Sequence, residues 1–100
     1  MNIPKKIKIL GREFKIILSK KITERKTKRG KDISLNGYVC LDSSTIWIDC
    51  RTSKDQRMST LLHEIIEALV LLLDMKICHD DIERLEVGLY QVLTENGMLK

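Results

Sequence analysis

Residues 37–75 read GYVCLDSSTIWIDCRTSKDQRMSTLLHEIIEALVLLLDM, and the fold turns on a change of period inside them. Up to Ile48 the pattern alternates. Val39, Leu41, Ile46 and Ile48 share one face and Tyr38, Cys40 and Trp47 the other, on either side of a turn at Asp42-Ser43-Ser44-Thr45. That is a β-hairpin, in which Cys40 faces Trp47 rather than Cys50, so a Cys40–Cys50 disulfide is not expected. Ser53-Lys54-Asp55-Gln56 has the S-x-x-Q form of a capping box and opens a helix running to about Met75. Within it Leu61, Leu62, Ile65, Ile66, Ala68, Leu69, Leu72 and Leu73 occupy one broad face at helical spacing, and Val70 and Leu71 make the second half apolar nearly all round.

Working outward, residues 5–18 alternate in the same way. A type II′ turn at Gly11-Arg12 would set Ile9 opposite Phe14 and Ile7 opposite Ile16. Residues 19–36 are polar and basic, with a mobile loop expected from Lys26 to Lys31. Downstream, a second helix spans about Asp80 to Glu95, with Ile82, Leu85, Leu89, Val92 and Leu93 as its core stripe and Asn96-Gly97 as a left-handed cap. The order β-β-β-β-α-α predicts a single α+β domain over residues 1–100. An antiparallel sheet of two hairpins fills residues 1–50, and two helices covering it fill residues 51–100.

Composition narrows the function classes. One hundred residues, 43% of them hydrophobic and 32% charged, make one ordinary globular domain and are too few for a doubly wound or barrel enzyme. No apolar run approaches the roughly 18 residues of a membrane span. The charged start from Met1 to Lys6 is unlike a signal peptide, and three Cys without a CxxC spacing point to free thiols and a cytoplasmic location. The net charge of +4 hides a split: residues 1–31 hold twelve Lys/Arg against two Glu, and the remainder six Lys/Arg against twelve Asp/Glu. The basic part suits a solvated edge hairpin, or the surface of an accessory binding module for nucleic acid or an acidic protein partner. Four aromatics are few for base stacking.

The chemistry lies in Leu62-His63-Glu64-Ile65-Ile66-Glu67. His63 and Glu67 are i and i+4 on a helix, so an imidazole nitrogen and a carboxylate oxygen stand over one another and can share a zinc ion. Glu64, about 100° round the helix from His63 at 3.6 residues per turn, is placed to act on a water from the side as a general base. A catalytic zinc takes a third protein ligand, and the second helix offers His79, Glu83 and Glu86 on one face, with His79 at its entrance the best placed.

The chain resembles the minigluzincins, small zinc metallopeptidase-like proteins of the gluzincin clan with short phage and bacterial members. The resemblance spans nearly all of it: Ile3-Pro4-Lys5-Lys6-Ile7-Lys8-Ile9, the Gly37-Tyr38 hairpin ending Thr45-Ile46-Trp47-Ile48-Asp49, Leu61-Leu62-His63-Glu64-Ile65-Ile66, and Gly88-Leu89-Tyr90-Gln91-Val92-Leu93 before Asn96. That family's motif is HExxH with a glutamate from the next helix. Here Glu67 stands where the second histidine belongs, and His79 lies near the expected acidic ligand. The resemblance implies His63 as a zinc ligand, Glu67 in the place of the second histidine, His79 rather than Glu83 as the exchanged third ligand, and Glu64 as general base in peptide-bond hydrolysis by zinc-activated water. It also implies a peptide held by β-addition at a cleft-edge strand, for which Thr45–Asp49 is the natural candidate. Small members of such families also occur in latent form.

Overall fold

The computed structural model describes residues 3–20, 25–26, 32–33 and 36–99. Among the described residues six strands precede two helices: β1 (Lys6–Ile9), β2 (Arg12–Ser19), β3 (Arg25–Lys26), β4 (Asp32–Ile33), β5 (Gly37–Cys40), β6 (Thr45–Asp49), α1 (Lys54–Leu72) and α2 (His79–Glu95). The class is α+β. The sheet runs β1-β2-β6-β5, and β3 and β4 form a separate two-stranded ladder. Of the Lys26–Lys31 loop expectation, only Lys26 falls among the described residues, paired with Asp32.

The sheet is mixed rather than purely antiparallel. Both expected hairpins form, but β2 and β6 meet in parallel, from Lys15↔Thr45 to Ser19↔Asp49. The reason lies in β6, where four of five residues are buried and Ile46 and Ile48 are fully so. A strand so apolar needs neighbours on both edges, and the long connection after β2 lets the chain lay β5 outside it. Backbone bonds extend the junction: Lys15 N–H donates to the Ser44 carbonyl at 2.9 Å and Cys50 N–H to the Ser19 carbonyl at 3.1 Å. The Arg12 guanidinium also ties the two hairpins, donating to Ser44 Oγ at 2.8 Å and to the Leu41 carbonyl.

The first hairpin turns one residue earlier than expected. Leu10 (φ 51°) and Gly11 (φ 79°) are both left-handed, as a type I′ turn requires, and Ile9 pairs with Arg12 and Ile7 with Phe14. The register moves by two in the pair sum, so the faces are kept: Ile9, Phe14 and Ile16 remain in the core. In the second hairpin Tyr38, not Cys40, lies opposite Trp47, the rings stacked at 4.6 Å, and Cys40 pairs with Thr45. Cys40, Cys50 and Cys78 are free thiols.

Helix α1 lies on the sheet through Leu61 and Ala68, with Met58, Ile65, Leu69 and Leu72 around them. Ser53 caps it as expected, its hydroxyl accepting from Gln56 N–H at 3.1 Å. It ends at Leu72, before Met75, because Asp74 turns left-handed (φ 51°) and Met75 N–H closes back on the Val70 carbonyl. Leu71 and Leu73 are exposed, so the second half of α1 is not covered all round. Helix α2 packs on α1, not on the sheet. Only Ile82 of its expected core stripe is fully buried; Leu85, Leu89 and Val92 face outward because the one layer beneath α2 is the side of α1. Gly97 (φ 65°) caps it, with Met98 N–H on the Leu93 carbonyl at 2.9 Å. Among the described residues, no helix is long and apolar enough to cross a membrane.

Candidate metal centre

The face that α1 turns to α2 carries a polar stripe. Helix α1 supplies Ser59, His63 and Glu67 at i, i+4 and i+8, and α2 supplies His79, Glu83 and Glu86. The short link Leu73–Cys78 makes the helices an antiparallel hairpin, so the start of α2 returns beside the later turns of α1. Its first residue, His79, therefore lands beside Glu67, and Glu86, two turns on, beside His63 and Ser59.

His63, Glu67 and His79 converge. His63 Nε2 lies 3.7 Å from Glu67 Oε2, and His79 Nδ1 lies 3.9 Å from Glu67 Oε1. One donor atom from each of the three can be chosen so that all lie within 4.8 Å of one another, and the group could hold a metal ion. Tetrahedral bonds of about 2.0–2.2 Å space donor atoms roughly 3.3–3.6 Å apart, somewhat closer than these. His63 is mostly buried, Glu67 half-buried and His79 exposed, so the centre is shielded by the helices and open toward solvent at the His79 end.

The remaining polar residues brace this group. His63 Nδ1 is 3.1 Å from Glu86 Oε1, and Glu86 Oε2 accepts from the Ser59 hydroxyl at 2.6 Å. His79 Nε2 is 3.1 Å from Glu83 Oε1. Glu83 and Glu86, weighed from sequence as ligands, thus lie behind the two imidazoles, where outer carboxylates orient metal-ligating histidines. Ser59 was missed, although it stands one helical turn before His63.

Glu64 departs from expectation. It points inward, not sideways, with the residue only 3% exposed, on the line Leu61, Glu64, Ala68 that α1 presses toward the sheet. Burial pushes its carboxyl up to about 9, helped by the charge and hydrogen bond of Glu67 and by the charge of Glu86. Its Oε1 is buried without a hydrogen-bond partner. An unpartnered buried oxygen beside two further carboxylates is costly unless a proton or cation answers it. Two imidazoles and a carboxylate are a suitable donor set for a divalent transition metal, and the orphaned oxygen of Glu64 is consistent with positive charge there.

The strand expected to offer the cleft edge does not. Thr45–Asp49 is central, paired on both sides, and β5 is the edge strand that starts beside Glu64. Compared with protein-family models, with curated proteins and with solved structures, the chain matches none.

Proposed function

We propose that the protein is a zinc-dependent, metallopeptidase-like domain of the minigluzincin type. His63, Glu67 and His79 would hold the metal, and the observation that carries the reading is the convergence of these three side chains beside the buried, unpartnered Glu64. When bound, zinc supplies Lewis-acid polarisation of a carbonyl and acidification of a water. Without a cation Glu64 holds its own proton; the positive charge of a bound metal beside it would favour the carboxylate, which would then accept a proton at Oε1 and return it to a leaving amine. The edge of β5 aligns an extended peptide by backbone hydrogen bonds, in place of β6. The donor set matches two His and one Glu in an exchanged order, which leaves the same ligand chemistry available. A cytoplasmic setting fits three free thiols.

The test is hydrolysis of a mixed peptide library by zinc-loaded protein, followed by mass spectrometry. The reading expects cleavage by wild type and none by Glu64→Gln with zinc content unchanged. Equal cleavage by both would remove Glu64 from the chemistry.

A second reading is favoured by one observation. The sheet face opposite the helices presents Lys6, Lys8 and Lys15, all exposed, on β1 and β2, and the Tyr38–Trp47 stack on β5 and β6. That face suits a nucleic-acid strand held by its phosphates through the basic residues 1–31. Fluorescence anisotropy of a labelled oligothymidylate at rising salt tests it. A steep loss with salt supports it, and no binding at low salt excludes it.

A further inference from the structure

We propose that Glu86 and Glu83 are positioning residues that set the two histidines in opposite tautomers, so that a cation is met by Nε2 of His63 and by Nδ1 of His79. The inference rests on the metal reading above, but the bracing it describes is complete without the ion.

A neutral imidazole carries one N–H and one lone pair, and its hydrogen-bond partner decides which nitrogen is which. A carboxylate only accepts. Glu86 Oε1 at 3.1 Å from His63 therefore fixes the hydrogen on Nδ1. The lone pair then lies on Nε2, which faces Glu67 at 3.7 Å, beyond hydrogen-bond length. Glu86 is itself held by the Ser59 hydroxyl at 2.6 Å, so the brace spans both helices.

His79 is arranged the other way round. Its carboxylate partner, Glu83, lies on its own helix at i+4, 3.1 Å from Nε2. The outer ring nitrogen thus reaches up α2 and carries the hydrogen, and the inner one, Nδ1, is left facing Glu67 at 3.9 Å. The rings meet edge to face, 5.2 Å apart at 66°, so the two lone pairs approach Glu67 from different planes. Two ligands placed around one ion need that divergence. The asymmetry follows from where the carboxylates come from: across the helix pair for His63, along the helix for His79.

Long-range nitrogen–proton NMR of the metal-free protein at pH 8.5 reads both tautomers directly. The expected result is Nδ1–H at His63 and Nε2–H at His79. Glu86→Ala should turn His63 into a mixture and leave His79 unchanged, and Glu83→Ala should do the reverse. Glu86→Gln, whose amide oxygen still accepts, should keep the His63 tautomer, which separates positioning from general loss of fold. Nε2–H at His63 in the wild type, or an unchanged tautomer in Glu86→Ala, overturns the proposal. Adding zinc then divides the two ideas. Shifts at His63 Nε2 and His79 Nδ1 support both. Shifts at the opposite nitrogens overturn the positioning proposal and leave the metal reading standing. Correct tautomers with no shift at all support the bracing and count against the metal.

Discussion

Gly37, the first residue of the edge strand, packs directly on Glu64: a Cβ at Gly37 would lie 3.7 Å from Glu64 Cγ, 2.7 Å from Thr60 Cγ2 and 2.6 Å from the Trp47 carbonyl oxygen. The proposed base and the proposed substrate edge are therefore set against each other by the absence of one carbon atom. The Trp47 oxygen belongs to the central strand and cannot move aside. Gly37→Ala should cost about 1–3 kcal/mol, as overpacking does, measured by urea unfolding. A change under about 0.5 kcal/mol, the size expected of a surface substitution, would show that β5 is not held against α1 in this way.

Glu64 should make the metal-free protein sensitive to pH. Its folded-state pKa of about 9 lies above the ordinary 4.5, so the folded chain holds the proton more tightly than the unfolded chain. The stability it contributes is complete below the unfolded value and is lost as pH rises through the folded one. Urea midpoints of metal-free wild type should fall between pH 5 and pH 9, and Glu64→Gln should flatten that part of the curve. Identical slopes for the two proteins would mean that Glu64 is not buried as a neutral acid.

The outward face of α2 gives a contrast in packing. Leu61 is 4% exposed between α1 and the sheet, and Val92 is 56% exposed on α2. Leu61→Ala should cost roughly 2–5 kcal/mol as a buried large-to-small change, and Val92→Ala within about 0.5 kcal/mol. Comparable losses at both positions would place the α2 stripe in an interior, as the sequence pattern alone suggested.

The outer carboxylates should matter for affinity more than for folding. Glu86→Ala should weaken zinc binding by about 10–100-fold, the usual effect of removing a second carboxylate behind a ligating histidine, as read by competition with a chromophoric chelator. An unchanged affinity would leave Glu86 as a surface-side hydrogen-bond partner only.

How far the sequence could be read follows the range of each interaction. The pairing of His63 with Glu67 was legible because i,i+4 is a property of one helix. The return of His79 was legible because the second helix starts close enough in sequence to fold back on the first, across a link that runs from Leu73 to Cys78. The bond from Ser59 to Glu86 spans 27 residues and depends on how the two helices rotate about their axes, which periodicity does not encode. Glu64 was misplaced for a related reason. A helical wheel gives angles but not the arc that a partner covers, and the sheet reaches round α1 far enough to take in Glu64. Alternation assigned Ile46 and Ile48 to the core face correctly, but it says nothing about which strand lies beside β6, so the parallel junction with β2 was not visible. The Leu10-Gly11 turn escaped because Leu rarely adopts positive φ, and the glycine was assigned to the first turn position instead of the second.

The central claim is that His63, Glu67 and His79 hold zinc, and the most direct measurement is the zinc content of protein stripped with chelator, reloaded at micromolar zinc and freed of excess. Wild type should retain about one zinc per chain and gain thermal stability from it, because a ligand that binds only the folded state stabilises it. His63→Ala and His79→Ala should each lose most of the metal and most of that gain, and Glu83→Ala should keep the metal at reduced affinity. Full zinc in His79→Ala together with loss in Glu83→Ala would move the third ligand one turn along α2. No uptake by the wild type would contradict the account.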